Sequence, residues 1–377
     1  MITLMVYMTL VGTLCWWAIL LAPWQAWNVR EQLEPSVDTE ETRQFLRDVT
    51  VLIPARNEAQ FIDRTLNCLQ MQGGDVRIIV IDDQSEDRTA VLAERPGVEI
   101  ISGTNPPKGW SGKLWALDQG LQQVRTRYTL LLDADISLSP GILEALLNKA
   151  YQENLSLVSI MAKLPVQRFL ERLLVPAFIF FFKLLYPFKL SNEPKSRVAA
   201  AAGGCILVKT RVLKSVDAFA SIRDALIDDC TLAARVKQAG FKTWIGLSHA
   251  VQSHRGYDSL AAIWNTVART AFTQLHYSML LLFLCTLFMI SMFWCAPLFA
   301  IIYTDTVFVI SSAFAWLAML IVYTSVLRFY QSSPFWGVAL PVIGTLYLLM
   351  TWTSALRYWC GTRAHWKNRR YEASEHN

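Results

Sequence analysis

Long stretches without a charged side chain restrict this fold more than anything else in the sequence. Residues 1–29 carry none, and three more such stretches follow late: Tyr277–Thr304, Thr306–Leu327 and Phe329–Leu356. Crossing the hydrocarbon core of a bilayer takes about 20 apolar residues in a helix, and Ile2–Leu21 supplies them. Buried soluble helices rarely come three in a row at such length. The pattern therefore predicts an N-terminal anchor and about three C-terminal spans. Pro334, Pro341 and Gly344 interrupt the last, which a membrane helix tolerates when its neighbours satisfy the backbone. For the first stretch the alternative is a cleaved leader; no basic residue precedes it and no small-x-small cleavage pattern follows, which favours retention.

Orientation follows from the basic residues. Arg30 and the charged stretch behind it favour a cytoplasmic side just past the first span, and hence a cytoplasmic central domain. Three further crossings would put the C-terminus outside, yet Arg357, Arg363, Lys367, Arg369 and Arg370 argue for inside, so the side of the tail stays open. Phe169–Phe188 is broken by charge and by Pro176 and Pro187. It suits a helix lying at the bilayer surface, with Arg172, Lys183 and Lys189 near headgroups; a packed core helix is the alternative. The net charge of +5 is small and sits near the membrane segments, which fits anionic headgroups and gives no reason to expect a nucleic-acid partner. The seven cysteines form no CxxC pair, which excludes a zinc knuckle and a disulfide scaffold.

Between the membrane segments the pattern changes. Val49–Pro54, Arg77–Ile81, Val98–Ser102 and Tyr128–Leu132 are short apolar runs, and helical spacing follows each: 59–70, up to Ala93, 114–124, and from Pro140 to about Tyr151. That alternation predicts an α/β, doubly wound, mostly parallel sheet, whose functional residues gather at the strand C-termini. Acidic residues stand there. Asp82-Asp83 ends the second run, Asp133-Ala134-Asp135 ends the fourth, and Asp228-Asp229 precedes a later helix. Hard carboxylate oxygens so placed suit a divalent cation and a nucleotide diphosphate. For Asp82 the competing reading is a helix cap or solvated turn, with Ser85 the better cap of the two. For Asp228-Asp229 it is plain charge at a helix N-terminus. Gly203-Gly204 either lets backbone approach a ligand or packs tightly; Gly73-Gly74 reads as a turn. Neither GxGxxG after a strand nor GxxxxGK[ST] occurs.

IPARNE, VIDDQSEDRT, LLLDADI, AAGGCILVKT and DDCTLAARVKQAGF, in that order, resemble the family 2 glycosyltransferases of GT-A fold, over about residues 48–276. With the C-terminal spans the chain resembles the membrane-bound branch that includes ceramide glucosyltransferases. PPKGWSGKLWAL and VARTAFTQLHYS look closest to hopene-associated glycosyltransferases. The resemblance implies inverting transfer of a sugar from a nucleotide-diphosphate donor, with Mg²⁺ or Mn²⁺, to a membrane lipid acceptor of hopanoid-related type. It assigns Asp135 to the metal, Asp133 to the metal shell or donor, and Asp82, Asp83 and Glu58 to the nucleotide. Asp229 becomes the general base and Asp228 its neighbour. Lys113, in GWSGK, becomes a donor-side cation. The chain departs from the family's QxxRW: in Thr266-Val267-Ala268-Arg269-Thr270 only Arg269 survives, as a diphosphate contact. That loss argues against a processive polysaccharide synthase. His254-Arg255 is a further phosphate-binding candidate.

The expected organisation is an anchor at 1–24, a GT-A domain at 45–276 holding the 169–188 helix, a membrane region at 277–359 and a basic tail at 360–377, in a bacterial inner membrane. A polyprenyl phosphate acceptor is the alternative substrate. A catalytically silent scaffold is the alternative class. A transporter would place polar groups at mid-membrane depth, and the late spans are nearly free of charge.

Overall fold

The computed structural model describes residues 2–35, 45–73, 75–303, 305–361, 365–366 and 369–370. Gly74 of the Gly73-Gly74 pair, and Arg363 and Lys367 of the basic tail, lie outside the described residues. The chain forms two compact units. One gathers Glu31–Pro165, Phe188–Gly256 and the tail; the other gathers Met1–Arg30, Val166–Pro187 and Tyr257–Arg363.

The first unit is built on eight strands: β1 (Val49–Ala55), β2 (Arg77–Asp82), β3 (Val98–Ser102), β4 (Tyr128–Leu132), β5 (Ile136–Leu138), β6 (Leu157–Lys163), β7 (Cys205–Lys209) and β8 (Thr243–Ser253). Their order across the sheet is β3-β2-β1-β4-β7-β6-β8-β5. The first four are parallel, because the helices Ile62–Gln70, Thr89–Ala93 and Gly112–Gln123 carry the chain back between them. β7 then runs antiparallel to both β4 and β6, β8 runs parallel to β6, and β5 runs antiparallel to β8. The expected parallel winding thus holds for the half built from β1–β4, and the remaining half is mixed.

Local sequence accounts for the layering. β1 is buried at every position, and apolar at all but Thr50, because helices cover both faces. Val51 and Ile53 point into one core with Leu66, Leu69 and Leu146, whereas Leu52 points into the other with Leu117, Leu121 and Val236. The two-residue period of the strand thus feeds two cores at once. The expected helix boundaries hold to within a few residues, with one change. Ser85 is not the cap of its helix: its Oγ accepts the Asn57 N–H at 3.0 Å, while Asp87 Oδ1 accepts the N–H of Thr89, where the helix begins.

The second unit is helical. Four helices are long and apolar enough to cross a membrane: Thr3–Leu21, Met279–Ile302, Thr306–Phe329 and Pro334–Trp359. The second is interrupted by a π-turn at Ser291–Cys295. Trp16 packs edge-on to Phe293 with 5.2 Å between ring centroids, and its Nε1 donates to Met292 O at 2.8 Å. The helix Phe169–Leu185 packs within this unit: Phe180 meets Tyr323, Phe181 meets Tyr347, and Tyr347 Oη donates to Leu174 O. Its Lys183 is buried. Glu171 closes the start of this helix by accepting the N–H groups of Gln167, Arg168 and Tyr257. All seven cysteines are free thiols.

Candidate active site

The antiparallel pairing of β4 with β7 builds the site. Leu132, the last residue of β4, faces Cys205, the first of β7. Asp133 therefore emerges beside Gly203-Gly204, and its N–H donates to Gly204 O at 3.1 Å. The helix Asp228–Gln238 packs its Leu232, Ala233 and Val236 into the second core, which brings its first turn to the same place. Lys113 arrives from the helix Gly112–Gln123, capped by Ser111 Oγ on the Leu114 N–H. Lys113, Asp133, Gly203, Asp228 and Asp229 together line one cleft, floored by Leu117, Leu131, Ile206 and Leu232.

Lys113 Nζ lies 2.7 Å from Asp133 Oδ1. Asp229 Oδ2 accepts the Gly203 N–H at 2.8 Å and its Oδ1 accepts the Cys230 N–H at 2.7 Å. The two adjacent glycines do different work. A Cβ on Gly203 would lie 3.3 Å from Lys113 Nζ and 3.5 Å from Asp229 Oδ2, inside the cleft; one on Gly204 would press tightly on an apolar side chain, Ile136 Cδ1, at 3.2 Å.

The electrostatics follow from burial and crowding. Burial alone would lower the Lys113 ammonium, but Asp133, Asp228 and Asp229 outweigh it and hold its pKa above the ordinary lysine value. Burial raises Asp133, with Asp135 and Asp228 adding to it against the pull of Lys113. Burial, and then repulsion from Asp228, push Asp229 up to about 6, although the Cys230 N–H, Lys113 and the Gly203 N–H favour its ionised form. A carboxylate so tuned is half-ionised near pH 6 and mostly ionised at neutral pH, close to the range in which a general base works best.

Glu58, Asp82, Asp83 and Asp135 stand at neighbouring strand ends. Arg255, just past β8, joins two of them: its Nη2 lies 2.7 and 2.6 Å from the Glu58 oxygens, and its Nε donates to Asp135 Oδ2 at 3.2 Å. The guanidinium also sits over the Phe61 ring, 5.0 Å from its centroid. Ser253 Oγ donates to the same Asp135 oxygen, and His254 contacts Ser137. Arg56 Nη1 donates to Asp83 O at 2.6 Å. Asp82 Oδ2 accepts the Ser85 N–H at 3.3 Å, while its buried Oδ1 has no hydrogen-bond partner among the described residues. Arg269 lies exposed on the helix Leu260–Gln274 of the other unit and is not among the residues lining the cleft.

Sequence reasoning named Arg255 for phosphate and missed its grip on Glu58 and Asp135. Nothing local announces that pairing, since the partners are 197 and 120 residues away. For a divalent cation the donor set fits in a limited sense. Asp133 and Asp135 each keep one carboxylate oxygen with no bond among the described residues, and no cluster of three or more His, Cys, Asp or Glu completes a cage there. Such a pair suits an ion whose remaining ligands are diphosphate oxygens and water.

Residues 50–217 match the sequence model of Glycosyl transferase family 2. A 4,4'-diaponeurosporenoate glycosyltransferase of Staphylococcus haemolyticus is 33% identical over 129 residues, 33% of this chain and 34% of that protein. Its counterpart in Staphylococcus aureus is 35% identical over 103 residues, 27% of this chain and 28% of its own length. The matched stretch thus spans about a third of these relatives. Among solved structures, a mannosyltransferase from Pyrobaculum calidifontis in complex with GDP-Man and Mn²⁺ superposes with a TM-score of 0.55 over 95% of this chain and all of that one, at 16% identity, a likeness of fold. The segment that carries Glu58, Asp82, Asp83, Lys113, Asp133 and Asp135 therefore matches glycosyl transferase family 2, on a fold of the GT-A type.

Proposed function

We propose that this protein transfers a sugar from a nucleotide-diphosphate donor to a membrane lipid, with inversion at the anomeric carbon. The observation that carries the proposal is the cleft in which Lys113, paired to Asp133, faces Asp228 and Asp229 across Gly203. Glu58, Asp82 and Asp83 hold the nucleoside end of the donor. Lys113 meets the diphosphate or a sugar hydroxyl, and Asp133 and Asp135 would hold Mg²⁺ or Mn²⁺. When bound, that ion would neutralise charge building on the departing diphosphate. Asp229 takes the proton of the acceptor hydroxyl as its oxygen attacks the anomeric carbon. The new carbon–oxygen bond forms as the bond to the diphosphate breaks, the electron pair leaving on the diphosphate oxygen. Asp228 orients this base and sets its field.

The acceptor proposal rests on two observations: four helices suited to span a membrane, and relatives named for transfer to 4,4'-diaponeurosporenoate. A hopanoid-related lipid is the finer reading, supported by the strings around Gly112 and Arg269. A polyprenyl phosphate is its rival. The central domain faces the cytoplasm in this proposal, where nucleotide sugars are made. The test is purified full-length protein in detergent with Mn²⁺, a panel of labelled nucleotide sugars, and hopanoid or polyprenyl phosphate acceptors. Label moving into one extracted lipid supports the proposal and names the acceptor. Neither donor hydrolysis nor transfer with any sugar would leave the silent scaffold.

A further inference from the structure

The same β4–β7 pairing that sets Asp133 beside Gly203 at one end of the sheet sets Tyr128 opposite Lys209 at the other. β4 is five residues long, so the two ends lie roughly 15 Å apart at about 3.3 Å per residue. At this far end a pocket of about 400 Å³ is lined by Arg125, Arg127, Lys209, Arg211 and Lys214, with Val124, Thr126 and Thr210 between them. That volume is in the range of small-ligand sites. No acidic residue lines it.

Five cations around one hollow are costly to hold together, and a solvated basic face is the ordinary explanation for such a group. Two observations count against it here. None of the five makes a salt bridge among the described residues, although basic residues elsewhere in the same unit do so with a clear partner, such as Arg77 with Glu99 and Arg95 with Asp63. Lys209 is also buried, 7% exposed, and its Nζ meets only the neutral Asn154 Oδ1, at 3.0 Å. Burial, and then Arg211 and Arg127, lower its pKa. Lys214 and Arg125 are spent on backbone carbonyls, Val124 O and Gln122 O, which fixes the rim. Thr210 N–H donates to Arg127 O at 2.9 Å and Thr129 Oγ1 meets Thr210 Oγ1 at 2.8 Å, so the floor is tied to both strands.

We propose that this pocket is a binding site for a phosphate-bearing anion, separate from the donor cleft. Arg127 and Arg211 supply exposed guanidinium groups and Lys209 a buried ammonium, a combination suited to a multiply charged phosphate group. The phosphate comes either from an anionic lipid headgroup or from a soluble diphosphate. The site does not depend on the glycosyltransferase reading, because it shares no residue with the cleft.

The test uses the full-length protein in a neutral detergent with EDTA, which removes divalent-dependent binding at the donor cleft. Inorganic diphosphate and short-chain phosphatidylglycerol are titrated separately by calorimetry. Saturable binding of one or both, weakened at least about tenfold by the double substitution Arg127→Gln/Arg211→Gln and kept in Asp133→Asn, is the expected result. Binding of diphosphate alone marks a soluble ligand, and binding of the lipid alone marks a headgroup. Both substituted arginines are exposed, and removing like charges leaves the fold in place, so the thermal midpoint should hold or rise. Binding of neither probe to the wild type, binding untouched by the double substitution, or binding lost in Asp133→Asn overturns the proposal.

Discussion

The proposal that Asp229 is the general base makes a prediction whose parts have opposite signs. In Asp229→Asn the side chain keeps its size. The carboxylate now serves two backbone donors, Gly203 N–H and Cys230 N–H, one on each oxygen. An amide has one oxygen, so one N–H is left facing an NH₂ group, at about 1–3 kcal/mol of stability. Losing the base is a separate effect, a fall of roughly 10²–10⁴ in transfer, or about 3–5 kcal/mol in the barrier. Donor affinity should change little. In the wild type, Asp229 at about 6 works in its ionised form, so activity is lost as pH falls through 6. About nine tenths of the free enzyme carries the ionised base at pH 7 and a little under one tenth at pH 5, a roughly tenfold fall in kcat/KM for the donor. The neighbours then move this acid limb in predictable directions. Asp228→Asn removes the repulsion that raises Asp229, so the limb shifts to lower pH. Lys113→Met removes a cation that favours the carboxylate, so the limb shifts to higher pH. The assay is transfer rate from pH 4.5 to 8.5 with donor dissociation constants beside it, reading the position of each limb and not its height. Near-normal transfer by Asp229→Asn, or limbs that move the wrong way, would refute the assignment.

Asp135→Ala should abolish Mn²⁺-dependent donor binding while the thermal midpoint stays within a few degrees; unchanged Mn²⁺ dependence would remove it from the metal site. Arg255→Gln leaves Glu58, 7% exposed, without its guanidinium, and should lower stability by about 2 kcal/mol, read as a drop in the thermal midpoint in detergent. Gly12→Ala would put a Cβ 2.1 Å from the backbone oxygen of Ser291, which is not free to swing aside. The helix must move off its neighbour, at about 1–3 kcal/mol, and an unchanged midpoint would show that the close approach is absent. A cysteine introduced within Glu86–Glu94 should resist a membrane-impermeant thiol reagent added outside intact cells, and efficient labelling there would reverse the proposed orientation.

Much of this architecture is local, and local structure is readable in order along the chain. The four apolar runs from Val49 to Leu132 are followed by helical spacing because each parallel strand needs a helix to return it. Their carboxylates, Asp82 and Asp133, mark strand ends for the same reason. The apolar helices are legible because crossing a bilayer takes about 20 predominantly apolar residues in a row. The strands β5 to β8 were not legible as a set. Their places depend on antiparallel and crossed pairings between distant residues. Ser85 looked like a cap, yet it spends its hydroxyl on Asn57, a contact that only the packing of two strand ends creates. The pairing of Arg255 with Glu58 and Asp135 is of the same kind. Sequence by itself marked the acidic candidates at the strand ends and determined which segments suit a membrane. Tertiary structure alone decided that one antiparallel strand pair, β4 with β7, gathers an acidic cleft at one end and a basic pocket at the other. The physical reason is that strand direction is set by which partner buries its backbone hydrogen bonds, and no residue within the strand records that choice.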